Sequence, residues 1–308
     1  MHKRRVNELT LTLSITPQGP LLIKSGQEAG ADPTLAQMNF VRTRHPDGGA
    51  RTIYLPGSSL KGVIRSHCER IVRTVLGDDP AHCCDPLSRN MSCGVRHRNI
   101  QDTAEQYKAL CLACRIFGHM VNAGHLLTAD AYPSAPIDGS PELEVRNNVA
   151  IDRLSGGVAV GPFDMEVAIQ GDFRTQVRLI NFEIWQVGLL ALALRDLAEG
   201  RLPVGFAKSR GLGRVSATFQ KLEVAYPGTF ALDDKTETLY GVGALAPDLV
   251  SAYGYVAVDR VTYGSPGTAV TDSADWGRAA VTFEGHAAVS EVFKTAVGAW
   301  AQKAGAHG

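Results

Sequence analysis

Apolar residues fall mostly at every second position across residues 6–15. Val6, Leu9, Leu11, Leu13 and Ile15 there predict a strand with one buried face. The stretch from Lys24 to Gly49 is rich in Gly, Asp, Pro and Thr and reads as a long loop, of a length that is often functional. A short strand, Thr52 to Leu55, runs into Pro56-Gly57-Ser58-Ser59, and Ser58 is the expected N-cap of a helix over 59–76. Leu60, Val63, Ile64, Ile71, Val72, Val75 and Leu76 mark its apolar face, while Lys61, Arg65, Glu69, Arg70 and Arg73 lie elsewhere. Gly77-Asp78-Asp79-Pro80 ends it, and a polar, Cys-rich segment, 81–125, interrupts the regular pattern. Strands are predicted at 126–132, 144–151 and 163–170, the last two forming a long hairpin (about 142–170) around Arg153-Leu154-Ser155-Gly156-Gly157. Asn181 is placed to cap a second helix, 182–199, ending at Gly200; a Gly-rich loop, 205–213, then leads to a strand at 214–224.

Strand, helix, strands, helix, strand is the order of an α+β chain with a split βαβ, ferredoxin-like sheet and helices on one face. Residues 1–226 form that unit. Residues 227–308 read as an extension with weak alternation at 253–264, one helix at 287–303, and several aromatics (among them Tyr240, Trp276 and Trp300) suited to packing against a neighbouring subunit. At 308 residues the chain allows one elaborated domain or two small ones. Charged residues at 20% and hydrophobic residues at 44% exclude a disordered or collagenous chain. No apolar run is long enough for a membrane span, and no apolar signal-peptide core follows the basic start, so a cytoplasmic location is expected.

Thirty-one basic and thirty-one acidic residues cancel, so total charge does not advertise a nucleic-acid partner. The distribution does more. Arg201, Lys208, Arg210, Arg214 and Lys221 fall in one stretch without an acid, whereas residues 227–308 hold nine acids and five bases. A cationic surface can hide inside a neutral total.

All six cysteines lie between 68 and 114. Cys111-Leu-Ala-Cys114 supplies two thiolates on one turn, and Cys84 and Cys93 two more from an upstream arm, enough for a tetrahedral structural Zn²⁺ that holds a segment too polar to make its own core. Cys83 could replace Cys84, and His97 or His119 could replace a thiolate; a redox pair or plain buried thiols are the alternatives. Cys68, on the first helix, reads as a small core residue.

Two glycine–basic motifs complete the inventory. In Gly205-Phe-Ala-Lys208-Ser209-Arg210-Gly211-Leu-Gly213-Arg214, glycines allow close backbone approach to a sugar-phosphate chain and the cations neutralise phosphates, although the spacing is not that of a Walker loop. In Leu55-Pro-Gly-Ser58-Ser59-Leu-Lys61-Gly-Val-Ile-Arg65, two hydroxyls and free N–H groups stand at a helix start, a ready anion site.

The two motifs, in this order, resemble those of the RAMP superfamily of CRISPR-associated proteins, and within it the repeated backbone subunit of type III effector complexes. Asn147-Asn-Val-Ala-Ile-Asp152-Arg153-Leu-Ser-Gly-Gly157 resembles the hairpin thumb of those subunits, and Cys111-Leu-Ala-Cys114-Arg-Ile-Phe-Gly118 their metal-binding insertion. The resemblance implies an RRM-related palm. It also implies CRISPR RNA and single-stranded target RNA as ligands, and effector subunits, including copies of this chain or paralogues, as partners. Lys61, Arg65, Lys208, Arg210 and Arg214 would hold guide phosphates, joined by Ser58, Ser59, Arg153, Ser209, Gly211 and Gly213. In such subunits an aspartate in the loop after the first strand cleaves target RNA with Mg²⁺ or Mn²⁺, and Asp32 is the candidate here. Counted back from Pro56-Gly57, the usual spacing falls nearer Asn39, which cannot ionise and would make this a binding-only member. A CRISPR-RNA-processing endoribonuclease of the same superfamily is a further alternative.

Overall fold

The architecture is that of a computed structural model, which describes residues 3–26, 36, 38–49, 51–88, 90–134, 141–228, 237–264, 268–272 and 277–306. Strand β1 (Glu8–Pro17) buries Leu9, Leu11, Leu13 and Ile15 on one face, as period-two spacing requires. A small hairpin, β2 (Arg42–Arg44) and β3 (Arg51–Ile53), precedes helix α1 (Gly57–Leu76). Short helices α2 (Cys93–Arg96), α3 (Thr103–Ala109) and α4 (Leu112–Phe117) occupy the Cys-rich segment. Strands β4 (Leu126–Thr128) and β5 (Tyr132–Pro133) follow, then the long pair β6 (Leu143–Ile151) and β7 (Val158–Ala168). Strand β8 (Phe173–Ile180), helix α5 (Ile184–Ala198) and strand β9 (Val215–Pro227) complete the first two-thirds. The remainder carries β10 (Thr238–Tyr240), α6 (Val242–Leu245), α7 (Pro247–Tyr253), β11 (Arg260–Thr262), β12 (Thr268–Asp272), β13 (Arg278–Glu284) and α8 (His286–Gly305).

The main sheet has seven strands in the order β12-β13-β9-β1-β8-β4, with β5 also on β8, and every pairing is antiparallel. The α+β class is therefore as the sequence predicts. Helices α1, α5 and α8 pack against each other or against β4, β9 and β13, closing a core around Trp185, Phe173, Phe182 and Tyr226. β13 pairs with β9 along its length, so the C-terminal segment continues the same sheet.

Several local expectations are corrected. Ser58 is not the N-cap. The helix starts at Gly57, whose N–H donates to Asp130 Oδ1 at 2.7 Å, so a carboxylate from a distant loop caps it instead. Nor is Asn181 the N-cap of α5, whose cap is Glu183. Asn181 takes a left-handed φ of 52° and its side chain holds the N-terminal segment, accepting from Val6 N and donating to Arg4 O, both at 2.8 Å; the helix begins after Glu183. The strand expected over 126–132 is two short pieces. The second hairpin arm starts at Val158 rather than 163, and β8 and β13 lie outside the predicted strands.

Candidate functional site

The Gly-rich loop is stapled beside the segment that follows β1. Phe206 N donates to Leu22 O at 2.7 Å, Gly213 N to Pro20 O at 2.8 Å, and Val204 N to Gly213 O at 2.8 Å. Gly205 and Gly213 have φ of 87° and 85°, and a Cβ would lie 2.3 Å from Leu22 O and 2.1 Å from Val204 O respectively, so only glycine fits at either base of the loop. Lys208, Ser209 and Arg210 form an exposed 3-10 turn on top.

This loop and the start of α1 line one open groove of about 420 Å³, whose walls include Lys24, Ser58, Ser59, Ser66, Phe206 and Lys208. The first-turn N–H groups of a helix have no helical acceptor, and its N-terminus carries partial positive charge. Phe206 has Lys24 Nζ 5.9 Å and the Arg210 guanidinium 5.3 Å from its ring centroid, so two cations are held against one aromatic ring. The arrangement can accept a negatively charged, partly aromatic chain. Lys24 and Phe206 are not among the residues singled out from sequence; Phe206 stands inside the quoted motif, and only the fold brings Lys24 to it.

Lys61 and Arg65 have other partners. Lys61 Nζ donates to Leu126 O at 2.8 Å, and burial, then the Arg65 charge, lowers its pKa. Arg65 pairs with Glu69 at 2.8 Å, donates to Gly118 O at 3.0 Å and reaches Cys114 Sγ at 3.5 Å. Both cations join α1 to the Cys-rich segment and β4. Arg214 is exposed and lies outside the groove walls, its carbonyl accepting from Gln18 N at 2.9 Å. Gly211 is exposed beside it.

Arg153 sits at the tip of the β6–β7 hairpin, exposed, far along the chain from the groove. Asp152 shapes that tip: its Oδ1 accepts from Leu154 N at 3.0 Å, Ser155 N at 2.6 Å and Ser155 Oγ at 2.8 Å, and these bonds lower its pKa. The hairpin exposes Val145, Val149, Ile151, Leu154, Val158 and Val160, with Leu154 97% accessible. Asp32 lies outside the described residues. Asn39 is buried, and its carbonyl accepts from Ser25 N at 3.0 Å.

Cys84, Cys93, Cys111 and Cys114 are all buried, with their sulfurs within 4.8 Å of one another. A tetrahedral ion with metal–sulfur bonds of about 2.3 Å would space sulfurs about 3.8 Å apart, and Cys84 and Cys114 are 3.6 Å apart. Backbone amides already point at two of the sulfurs, Cys111 N at Cys93 and Cys114 N at Cys111, each at 3.4 Å. Hydrogen bonding from Cys114 lowers the Cys111 thiol to about 7 and that from Cys111 lowers Cys84, while hydrogen bonding with Cys111 raises Cys93 and Cys114, as thiols sharing protons must. No disulfide joins the described cysteines. The donor set fits a thiophilic divalent ion. Cys83 is outside this group, its thiol pushed up to about 12 by burial and the Cys111 sulfur, and His97 and His119 are not part of it.

A family model described as the RAMP superfamily matches residues 14–216 of the chain. No curated protein matches it.

Proposed function

The chain belongs to the RAMP superfamily, and from that membership, which brings a CRISPR-associated RNA-binding role, we propose that it is a guide-RNA-binding backbone subunit of a type III effector complex. The observation that carries this reading is the groove in which the Ser58-Ser59 helix start meets Lys208 and the Phe206 ring. There the α1 dipole, two hydroxyls and Lys24 and Lys208 bind phosphates without reading bases, leaving sequence recognition to base pairing. The strand order β9-β1-β8-β4, with α1 and α5 as the two crossovers, supports a ferredoxin-like palm. The β6–β7 hairpin, bonded at its base to Leu21 and Met38 and apolar and exposed towards its tip, fits a thumb that meets bases or a neighbouring subunit. Its ligands on this reading are CRISPR RNA and single-stranded target RNA, and its partners other effector subunits, copies of itself included.

Zn²⁺ on Cys84, Cys93, Cys111 and Cys114 would cross-link the insertion and do no chemistry, because four thiolates leave no open position. Asp32 is the proposed carboxylate for target cleavage, where a bound Mg²⁺ or Mn²⁺ would stabilise charge at the reacting phosphate. A binding-only role is the second reading, favoured by the buried, non-ionisable Asn39.

The test is titration of RNA against the purified chain at several salt concentrations. Lys208→Ala with Arg210→Ala weakens binding whatever the sequence and flattens the salt slope by about 1.4, at about 0.7 per lost phosphate contact on a single strand. An unchanged slope makes these ordinary surface charges. In the reconstituted complex, Asp32→Ala slows metal-dependent target cleavage by about 10²-fold or more while affinity stays within error, and Asn39→Ala does not slow it. Equal cleavage by wild type and Asp32→Ala removes the catalytic assignment, and absence of cleavage by wild type selects the binding-only role.

A further inference from the structure

Arg44 and Arg51 face each other directly across the β2–β3 hairpin, and both are exposed. Among the described residues no carboxylate lies within ion-pair distance of either, although Arg42 on the same hairpin pairs with Glu166. Like charges directly opposite destabilise an antiparallel pair. Two acids of the neighbourhood do not relieve them: Asp47, in the hairpin loop, forms no ion pair with either, and the Asp130 carboxylate accepts from Gly57 N at 2.7 Å and Tyr132 OH at 3.4 Å.

Aromatic rings stand next to this uncompensated pair. Tyr54, three residues beyond Arg51, stacks on Tyr132 with ring centroids 5.8 Å apart and planes 14° from parallel. His45, the residue after Arg44, meets Tyr132 edge-on at 5.7 Å and is anchored through Nε2 to Pro133 O at 3.0 Å. Leu55 and Ala131 exchange both backbone bonds, at 2.9 and 2.8 Å, which fixes the two tyrosines side by side. Both rings are half-buried, leaving part of each at the surface. The chain runs from Tyr54 straight into the groove: Ser58 is four residues on, a span of at most about 14 Å.

We propose that Arg44, Arg51, Tyr54 and Tyr132 form a second polynucleotide subsite, in which the arginines neutralise phosphates and the tyrosine stack receives a base of the single strand that leaves the groove. Aromatic stacking combined with a cationic track is the chemistry of sequence-tolerant single-strand binding. An acidic peptide would satisfy the arginines but has no use for two parallel rings. The inference rests on the reading that this chain binds RNA, but at different residues.

The experiment titrates fluorescein-labelled single-stranded RNA of mixed sequence, and a strand of equal length carrying abasic positions, against four proteins. These are wild type, Arg44→Ala with Arg51→Ala, Tyr54→Leu with Tyr132→Leu, and Lys208→Ala with Arg210→Ala. Ultraviolet cross-linking of the wild-type complex, read by mass spectrometry, reports the contact without any substitution. The arginine variant is expected to lower the salt slope by about 1.4. The tyrosine variant is expected to weaken ordinary RNA at least about fivefold and the abasic strand hardly at all, with nucleotide adducts on Tyr54 or Tyr132. If the groove variant loses affinity while the arginine variant keeps the wild-type slope and no adduct forms on either tyrosine, the subsite is overturned and the groove stands. Should the tyrosine variant weaken both strands equally without adducts, the subsite is likewise overturned. Loss in the arginine and tyrosine variants but not in the groove variant, with adducts, supports the subsite and overturns the groove. No binding by wild type overturns both.

Discussion

Asp259 is buried and its Oδ1 accepts from Ile184 N at 3.1 Å, the second of two carboxylates at the start of α5. The other, Glu183, is fully buried and accepts from Val256 N at 3.0 Å. Burial, then the Glu183 charge, pushes Asp259 up to about 7 from an ordinary 3.8. A raised carboxyl pKa means the folded state holds a proton that the unfolded state has released. Between about pH 4 and about pH 7 stability therefore falls as pH rises, by at most about 1.4 kcal/mol per pH unit. Asp259→Asn keeps the Oδ1 acceptor, so its chemical-denaturation midpoint should exceed wild type at pH 8 and its pH profile should flatten over this window; a profile parallel to wild type would show the burden lies elsewhere.

At the thiol cluster, one removed ligand should be enough. Cys114→Ser leaves a three-thiolate remnant and breaks the contact with Arg65. Metal analysis should find about one zinc per wild-type chain and a several-fold loss in the variant; equal metal content would take Cys114 out of the shell. The CxxC spacing made this cluster legible in sequence, because two of its members sit on one turn. The fates of Lys61 and Arg65 were not legible. A cation on a helix flank looks alike whether its partner is a phosphate or a carbonyl, and here the carbonyls, Leu126 and Gly118, come from 65 and 53 residues away.

Among the elements, α5 and α8 cross in close contact. A Cβ on Gly188 would stand 2.2 Å from Ala296 O and 3.0 Å from Trp300 Cβ, so the two helices touch backbone to backbone. Trp185 and Trp300 lie beside this crossing, centroids 6.2 Å apart. Gly188→Val should cost about 3 kcal/mol or more through overpacking. Gly298→Ala, on α8 where nothing lies within 4 Å of a new Cβ, should gain about 0.5–1 kcal/mol from helix propensity. Thermal unfolding of the pair separates a specific crossing from general tolerance of α8. The sequence showed α8 almost to its ends, since its apolar spacing is regular. It hid β8, where alternation is present in Phe173, Thr175, Val177 and Leu179 but one inward position is a threonine. Thr175 is buried because its hydroxyl donates to Ala129 O at 2.8 Å, a partner that only the folded chain supplies. It hid β13 as well, because Ala279-Ala280-Val281-Thr282-Phe283 is buried throughout and so lacks the alternation that marks a strand.

Over the whole molecule, the groove depends on parts distant in sequence: residues 20–24 after β1, the start of α1, and the loop before β9. Local motifs predicted each wall separately, and the sheet order brings the walls together. That same order has a consequence for the chain during its manufacture. β1 leaves the ribosome well before either of its two neighbours, β8 and β9, so Glu8 must wait for Ile180 and then Ala225. At about 5–20 residues per second, a strand of buried leucines stands without either partner for roughly ten to thirty seconds of synthesis. During that interval its unpaired edges are open to any passing strand. A nascent chain of this topology is a natural client for chaperones, and a message truncated before the codon for Phe173 encodes a product whose central strand never finds its sheet.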